Sequence, residues 1–251
     1  MKGAVAKMAK AVLPIAVYRS IHRRFRPGAI PPVGEVQFGD LRRTAPISRD
    51  YGYCRGGPID RYYIENFLQK SGPLIRGRVL EIGERTYTEK YGTQVEQADM
   101  LHVSDGQGAT YVDDLTEGRT VPSDSYDCVI LTQTLHLIYD MKAALRTIHR
   151  ILKPGGVLLC TVPGITQAAD EDWNDCWYWA LTSFSARKLA GEVFGDGNVK
   201  VDHWGNVLSA TGFLQGLGVG ELTRAELDVV DPEYQVTVAI TAHRGTDAGA
   251  I

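Results

Sequence analysis

Hydrophobic residues in the middle of the chain are concentrated in four short runs separated by polar connections. These runs cover residues 78–83, 109–112, 126–132 and 156–162. Short runs without polar alternation are typical of strands that are buried on both faces, as in a parallel sheet covered by helices on each side. The pattern therefore predicts an α/β fold built on a mostly parallel sheet.

Two segments beside these runs have apolar residues at helical spacing. The first begins at Pro58 and ends at Gly72, and the second begins at Asp140 and ends at the turn KPGG, residues 153–156. The second lies between the last two runs, so strand, helix, turn and strand follow one another as a βαβ unit. The handedness of such units makes the predicted sheet doubly wound, with ligands at the carboxyl ends of its strands. Residues 198–207 and 234–242 alternate more and predict an antiparallel end of the sheet.

The composition is that of an ordinary globular protein, with 44% hydrophobic and 23% charged residues in a chain of 251. No apolar run approaches the roughly 20 residues of a membrane span. The cysteines form no C-x-x-C pair, and the histidines are scattered without carboxylates at useful spacing. We therefore expect reduced thiols, a cytoplasmic protein and no metal site. The four cysteines are Cys54, Cys128, Cys160 and Cys176.

Basic residues are concentrated at the N-terminus. The net charge is −3, yet residues 1–26 contain seven Lys or Arg and no acidic residue. Three interpretations stay open: a frayed basic tail, an amphipathic helix that covers the active site or a partner subunit, and an anchor at a membrane surface. A homo-oligomer formed through this segment and a weak membrane-surface contact both follow from these interpretations.

The loop after the first run lacks the glycines of a dinucleotide site. Gly83 permits a tight turn there and Glu81 places an acid near the end of the strand, but Arg85 stands where a second glycine is expected. The motif G-x-G-x-x-G lets a pyrophosphate approach the amides of the following helix. The loop therefore disfavours a phosphate-bearing cofactor such as NAD.

Residues 78–164 resemble the class I S-adenosylmethionine-dependent methyltransferases, and within them the small type 11 domains. The resemblance rests on VLEIG, ATYVDDLT, SYDCVILTQTLHLIYDMKAALRTIHRILKPGG and VLLCTVPG, in the family's order and spacing. With weaker matches over residues 50–243, the chain is similar to methyltransferases of glycan and natural-product biosynthesis. The resemblance implies a Rossmann-like sheet, S-adenosylmethionine as cofactor, S-adenosylhomocysteine as product and no metal. The expected parts are a basic segment and linker (1–34), a helical lid region (35–75), the methyltransferase domain (76–245) and a disordered tail (246–251).

The resemblance assigns the cofactor's methionine portion to two strand ends. Glu81 would face its ammonium group, directly or through water, and Gly83 would allow its close approach. Thr132 and Gln133, after the fourth strand of the family's sheet, would also contact the methionine portion.

Three further cofactor contacts are implied after the second and third strands. An acid about 20 residues beyond the first strand binds the ribose hydroxyls. Asp99 and Asp105 both fit that spacing, and Asp105 is favoured because it precedes Gly106. Asp114 would accept a hydrogen bond from the adenine amine, and Leu115 would cover the ring.

Candidate residues for catalysis and for acceptor binding lie beside the expected methyl group. His136 is either a general base or an orienting, buried residue, since positioning alone can drive methyl transfer from a sulfonium. The family often has a second histidine where this chain has Leu137. The aromatic cluster from Trp173 to Trp179 either stacks on an acceptor or packs the next helix onto the sheet. The acceptor candidates are Arg55, Asp60, Arg61, Tyr62, Trp177, Tyr178 and Trp179.

The expected function is methylation of a hydroxyl on a saccharide or on a glycosylated or polar natural product. Carboxyl methylation, which Arg61 keeps open, and N-methylation of a small intermediate are alternatives. A non-catalytic binding or scaffold protein is another, because the loop has lost glycines, and a nicotinamide oxidoreductase is disfavoured. The expected partner is a small-molecule acceptor and not a nucleic acid.

Overall fold

The computed structural model describes residues 30–105, 108–168 and 175–246. The chain divides into two units between Thr44 and Ala45. Within the described part of the first unit, a short 3-10 helix covers Gly39–Leu41. The expectations for the basic segment, for Trp173 and for the tail from residue 247 onward lie outside the described residues.

The second unit is organised around a seven-stranded sheet with the order β3-β2-β1-β4-β5-β7-β6. Neighbouring strands are parallel from β3 to β5, and β7 is antiparallel to both β5 and β6. This arrangement confirms the predicted doubly wound, mostly parallel sheet with an antiparallel end. The strands are β1 (Gly77–Ile82), β2 (Val95–His102), β3 (Tyr111–Val112), β4 (Tyr126–Thr132), β5 (Leu152–Pro163), β6 (Val199–Trp204) and β7 (Thr237–His243).

Six α-helices of this unit are described, and none of them is both long and apolar enough to cross a membrane. The third begins after Asp140, whose side chain accepts a hydrogen bond from the Ala143 amide at 2.9 Å. It ends one residue earlier than predicted, because Leu152 is extended and pairs with Tyr126 as the first residue of β5. The helices are α1 (Ile59–Lys70), α2 (Thr86–Tyr91), α3 (Met141–Ile151), α4 (Ser183–Phe194), α5 (Val207–Leu214) and α6 (Arg224–Leu227).

Successive residues of β4 face opposite sides of the sheet. Cys128 and Ile130 pack in one core with residues of α1, and Val129 and Leu131 pack in a second core with residues of α3 and α4. All four side chains are fully buried. The uninterrupted apolar run in the sequence reflects this burial on both faces.

Asp99 lies within β2, where it pairs with Leu80 of β1, and not at the end of the strand. Its side chain is almost fully buried and accepts hydrogen bonds from Arg78 Nε at 2.8 Å and from the Tyr126 hydroxyl at 2.9 Å. Asp99 therefore holds neighbouring strands together, and its carboxylate is already occupied by these partners.

Candidate active site

Two cavities lie where β1 and β4 end. The larger, about 760 Å³, is bounded by the loop after β1, the residues after β4 and the start of α1. The smaller, about 280 Å³, is bounded by the start of α1, the residues after β4 and Trp177. Arg61 and Gln133 line both cavities. This is the position that the fold offers to ligands, because the carboxyl ends of parallel strands meet there.

Glu81 ties the loop after β1 to the helix that follows. Its side chain is 2% exposed and accepts hydrogen bonds from the Tyr87 amide at 3.1 Å, the Thr88 amide at 2.8 Å and the Thr88 hydroxyl at 2.7 Å. Burial raises the pKa of Glu81, and these hydrogen bonds oppose that shift. Glu81 lines the larger cavity, but its carboxylate mainly fixes the loop; contact with the ammonium group stays a prediction.

Gly83 provides open space in the same loop. Its φ of +91° is in the left-handed region, and a Cβ built there meets no atom within 4 Å. Gly56 and Gly57 also line the larger cavity, with φ of +95° and +112° and equally open space. Three glycines thus let backbone border this cavity at positions where a side chain would project into free volume.

Gln133 has an unusual backbone for a residue with a side chain, at φ +46° directly after β4. Its amide donates to the Thr161 carbonyl at 2.9 Å, and its side-chain Nε2 is buried without a hydrogen-bond partner. Left-handed residues other than glycine are concentrated at functional sites, where surrounding contacts hold them. Gln133, with Thr132 beside it in the larger cavity, is therefore well placed to donate to a ligand.

The smaller cavity is lined by residues whose buried polar atoms have no partner. These atoms are Asp60 Oδ1, Gln133 Nε2, both ring nitrogens of His136, and Trp177 Nε1. An unsatisfied buried donor or acceptor costs about 1–3 kcal/mol. A ligand that both donates and accepts hydrogen bonds would remove that cost.

His136 is buried and not exposed at the sheet edge. It lies in the 3-10 helix Leu135–Leu137, is 1% exposed, and meets the Trp177 ring edge-on at a centroid distance of 4.7 Å. Burial lowers the pKa of His136 to about 4. The imidazole is therefore neutral at physiological pH, with one ring nitrogen able to donate a hydrogen bond and the other able to accept one.

Arg61 places a positive charge at the boundary of the two cavities. Its guanidinium donates to the hydroxyl of Tyr87 at 2.6 Å and to that of Tyr53 at 3.0 Å. Among the described residues, no carboxylate forms an ion pair with it. The neighbouring carboxylate of Asp60 interacts with this charge, and an anionic ligand group in either cavity could pair with the guanidinium.

The aromatic cluster divides between two environments. Trp177 lines the smaller cavity and stacks on Tyr51 at 6.0 Å, whereas Tyr178 and Trp179 contact the ring of Tyr139 at 5.3 and 5.7 Å. Neither Tyr178 nor Trp179 lines the two cavities. Only Trp177 of these three is brought to the polar atoms described above.

Two acceptor candidates on the N-terminal side make protein contacts. Arg55 forms an ion pair with Glu221, with Nε at 2.9 Å from Oε2, and lines neither cavity. The Tyr62 hydroxyl donates to Asp228 at 2.6 Å, although Tyr62 still lines the larger cavity. The roles of both residues toward an acceptor stay predictions.

The residues assigned to ribose and adenine lie beyond β2 and β3, outside the two cavities. Asp105 is exposed, three residues after β2. Asp114 is exposed directly beyond β3, and its Oδ1 accepts from the Thr116 amide at 2.7 Å. Leu115 is 3% exposed and packs in the core. Their contacts with a nucleoside stay predictions.

Replacing Asp114 with alanine should weaken S-adenosylhomocysteine binding by about 1–3 kcal/mol, the range for losing one partner of a polar group. Calorimetric titration measures the loss. Asp113→Ala is the matched control, because the neighbouring carboxylate is held by the Thr120 amide at 2.6 Å and should leave the affinity unchanged. Equal affinity in parent and Asp114→Ala protein would place the adenine elsewhere.

The sequence reasoning missed several residues of the two cavities, among them two tyrosines and two glycines. Tyr51 and Tyr53 line the smaller one, and Gly56 and Gly57 border the larger one. The adjacent glycines before Pro58 were the available signal, since paired glycines often mark close approach of backbone to a ligand. In residues 30–105, 108–168 and 175–246, no three His, Cys, Asp or Glu side chains are grouped to hold a metal ion.

Comparison with known proteins gives a family. Residues 61–193, just over half of the chain, match the family described as "Methyltransferase domain". The ubiquinone/menaquinone biosynthesis C-methyltransferase UbiE of Hahella chejuensis (strain KCTC 2396) is 31% identical over 106 residues, 40% of this chain and 39% of that protein. Arsenite methyltransferase of Rattus norvegicus is 29% identical over 114 residues, 41% of this chain and 29% of that protein. The matches therefore span well under half the length of these curated relatives.

Among solved structures, Haemonchus contortus phosphoethanolamine N-methyltransferase 2 in complex with S-adenosyl-L-methionine is similar, with a TM-score of 0.49 and 16% identity. The similarity covers 78% of this chain and 54% of that one. The family match covers the loop after β1 and the residues after β4, but the part of the cavity lining before Arg61, including Gly56, Gly57 and Asp60, lies outside it. The chain therefore belongs to the methyltransferase domain family and carries a class I, S-adenosylmethionine-dependent methyltransferase domain.

Proposed function

We propose that the protein transfers the methyl group of S-adenosylmethionine to a hydroxyl of a saccharide, either free or as the sugar of a glycosylated natural product. One observation carries the proposal: a small cavity with unpartnered donors, unpartnered acceptors and an indole adjoins a larger cavity bordered by glycines. The small cavity would take the acceptor and the large one the cofactor.

The larger cavity fits the methionine portion of the cofactor. Gly83 leaves free volume where a Cβ would stand, and Gln133 offers a buried donor without a partner. Glu84 also lines this cavity, which suits a ligand with an ammonium group. When bound, the cofactor supplies an electrophilic methyl group on a positively charged sulfur.

The smaller cavity fits one sugar ring. Its volume of about 280 Å³ is just below the roughly 300–1,000 Å³ that is usual for small-molecule sites, which suits a ligand as small as one sugar ring. A sugar presents apolar C–H groups that can pack on the ring of Trp177. Its hydroxyls both donate and accept, which matches the mixture of Asp60, His136 and the Trp177 indole N–H in the lining.

Carboxylate methylation is the second candidate, and Arg61 favours it. Its guanidinium lines both cavities and is hydrogen bonded to two phenols. An acceptor carboxylate in the smaller cavity would pair with that charge. The acceptor atom, oxygen of a hydroxyl or of a carboxylate, separates the two candidates.

The test is methyl transfer from radiolabelled S-adenosylmethionine to three matched sets of compounds: methyl glycopyranosides, the corresponding uronic acids, and amino sugars. We expect label on the neutral glycosides, at a site that resists mild base. Label appearing only on uronic acids as base-labile esters would support the carboxylate candidate. Tight cofactor binding without labelling of any neutral glycoside would contradict the proposal, and no cofactor binding would favour a scaffold role.

The indole of Trp177 should matter for the acceptor and not for the cofactor. Trp177→Ala should lower kcat/KM for the best glycoside by roughly 10- to 100-fold, since about 1.4 kcal/mol corresponds to tenfold and a stacked ring contributes on this scale. Its affinity for S-adenosylhomocysteine should stay within about twofold. Phe184→Ala is the control, because that ring on α4 is 80% exposed and lies outside both cavities. A parallel loss of cofactor binding in Trp177→Ala would make the indole structural.

A further inference from the structure

Asp60 is the acidic residue among the unpartnered groups of the smaller cavity. It lies in the first turn of α1, and its Oδ1 is buried without a hydrogen-bond partner. Arg61 follows it in the chain, but the guanidinium of Arg61 donates to Tyr53 and Tyr87. Oδ1 of Asp60 is therefore free to accept a hydrogen bond, whereas the guanidinium of Arg61 is already hydrogen bonded to two phenols. His136 and Gln133 line the same cavity.

His136 is a weaker candidate for taking a proton. Burial lowers the pKa of His136 to about 4, so the ring is neutral but only weakly basic. Burial has the opposite effect on a carboxylate. It raises the pKa of Asp60, and the positive charge of Arg61 and backbone hydrogen bonds at Arg61 and Asp60 only partly oppose that shift. Because a base is most effective when its pKa is near the working pH, burial weakens His136 as a base and strengthens Asp60.

We propose that the carboxylate of Asp60 is the base that takes the proton of the acceptor hydroxyl, and that His136 holds this hydroxyl by a hydrogen bond. This assignment rests on the proposed methylation of a hydroxyl. Asp60 is then a catalytic residue, and His136 is a positioning residue. The indole N–H of Trp177 donates to another oxygen of the acceptor and fixes its orientation.

The proton and electron balance of the step is complete without another reactant. The acceptor O–H bond breaks and its proton passes to Asp60. The acceptor oxygen forms a bond to the methyl carbon as the carbon–sulfur bond breaks with its electron pair on sulfur. The positive charge that leaves the sulfonium equals the charge of the proton gained by Asp60, which later releases that proton to water.

The pH dependence of turnover follows from the groups that share this cavity. Asp60 must be ionised to act, so kcat should fall as the pH drops through the pKa of Asp60, which lies above the usual range of aspartate. The charge of Arg61 is retained throughout. The titratable and charged groups in the lining are Asp50, Tyr51, Tyr53, Asp60, Arg61 and His136.

Three variants separate the roles of Asp60 and His136, with the methyl glycopyranoside that is turned over fastest as acceptor. Asp60→Asn keeps the shape of the side chain and should lower kcat by about 100-fold or more, the usual scale of general base catalysis, while KM changes little. The acidic limb of its pH profile should disappear, and added formate should restore turnover to Asp60→Ala. His136→Asn should raise KM and keep the acidic limb.

Three outcomes would overturn the assignment. The first is an Asp60→Asn protein whose kcat stays within about threefold of the parent; the second is an acidic limb that survives in Asp60→Asn and vanishes in His136→Asn. The third outcome needs no acceptor and comes from an NMR titration of protein labelled with carbon-13 at aspartate Cγ. A measured pKa of Asp60 at or below the ordinary value near 3.9 would contradict the assignment. Lack of turnover on every glycoside by the parent would instead refute the proposed function, while the titration would still decide the state of Asp60.

Discussion

Gly83→Val should weaken the binding of S-adenosylhomocysteine by about 100-fold or more, which corresponds to about 2.7 kcal/mol, and should leave the protein folded. Two physical effects add together. A β-branched side chain is poorly tolerated at the φ of +91°. Its methyl groups would also occupy the free volume of the larger cavity, where we place the methionine portion of the cofactor.

Gly195→Val is the matched control for backbone strain. Gly195 follows α4 with φ +83°, and it lies outside both cavities. Both variants should lower the melting temperature by similar amounts, and only Gly83→Val should lose affinity in a calorimetric titration. Unchanged affinity in Gly83→Val, or equal losses in the two variants, would show that the cofactor does not pass Gly83.

Arg78→Ala should lower the free energy of unfolding by about 3 kcal/mol, the lower end of the usual 3–5 kcal/mol for breaking a buried pair. The lower end applies because the Arg78 side chain is 28% exposed, whereas that of Asp99 is only 5% exposed. The substitution would leave the Asp99 carboxylate buried with Tyr126 and Gln97 as its remaining hydrogen-bond donors. Urea unfolding at pH 7 measures the change.

The pH dependence of this loss has a defined sign. Burial alone would raise the pKa of Asp99, but hydrogen bonds from Gln97, Tyr126 and Arg78 outweigh it, and the pKa is lowered. A lowered carboxyl pKa stabilises the fold fully above the unfolded value near 3.9, and this contribution is lost as the pH falls through the folded value. The difference between parent and Arg78→Ala should therefore shrink as the pH falls below about 3.9.

Lys142→Ala is the control, because it removes the positive charge of an ion pair that is exposed and not buried. Lys142 pairs with Glu192 at 2.7 Å, close to the 2.8 Å between Arg78 and Asp99, but both side chains are more than a third exposed. Exposed pairs contribute about 0–1 kcal/mol, so this variant should unfold almost like the parent. Equal destabilisation by the two substitutions would mean that burial does not strengthen the Arg78 pair.

Much of the fold could be predicted because a strand that is buried on both faces has apolar residues at consecutive positions of the sequence. Residues 128–131 are all apolar because alternate residues of β4 enter opposite cores. Gly83, Thr132 and Gln133 could be placed for a related reason. They lie at or directly after the ends of strands that the pattern identifies, and the carboxyl ends of parallel strands meet at one edge of the sheet.

The arrangement inside the smaller cavity had no such local signal. Asp60, His136 and Trp177 are brought together from distant parts of the chain, and no periodicity encodes that contact. The segment around Trp177 has no described helix or strand, so spacing could not show that Trp177 faces the cavity while Trp179 packs against Tyr139. Asp99 could not be separated from Asp105 either, because spacing alone does not locate the end of β2.

The most direct test of the account is a crystal structure of the protein with S-adenosylhomocysteine. We expect the homocysteine portion to lie in the larger cavity against Gly83 and Gln133, with its sulfur directed toward the smaller cavity that contains Asp60 and His136. A ligand bound elsewhere, or a sulfur directed away from the smaller cavity, would contradict the placement of cofactor and acceptor. Failure of the ligand to bind at millimolar concentration would contradict the catalytic role as a whole.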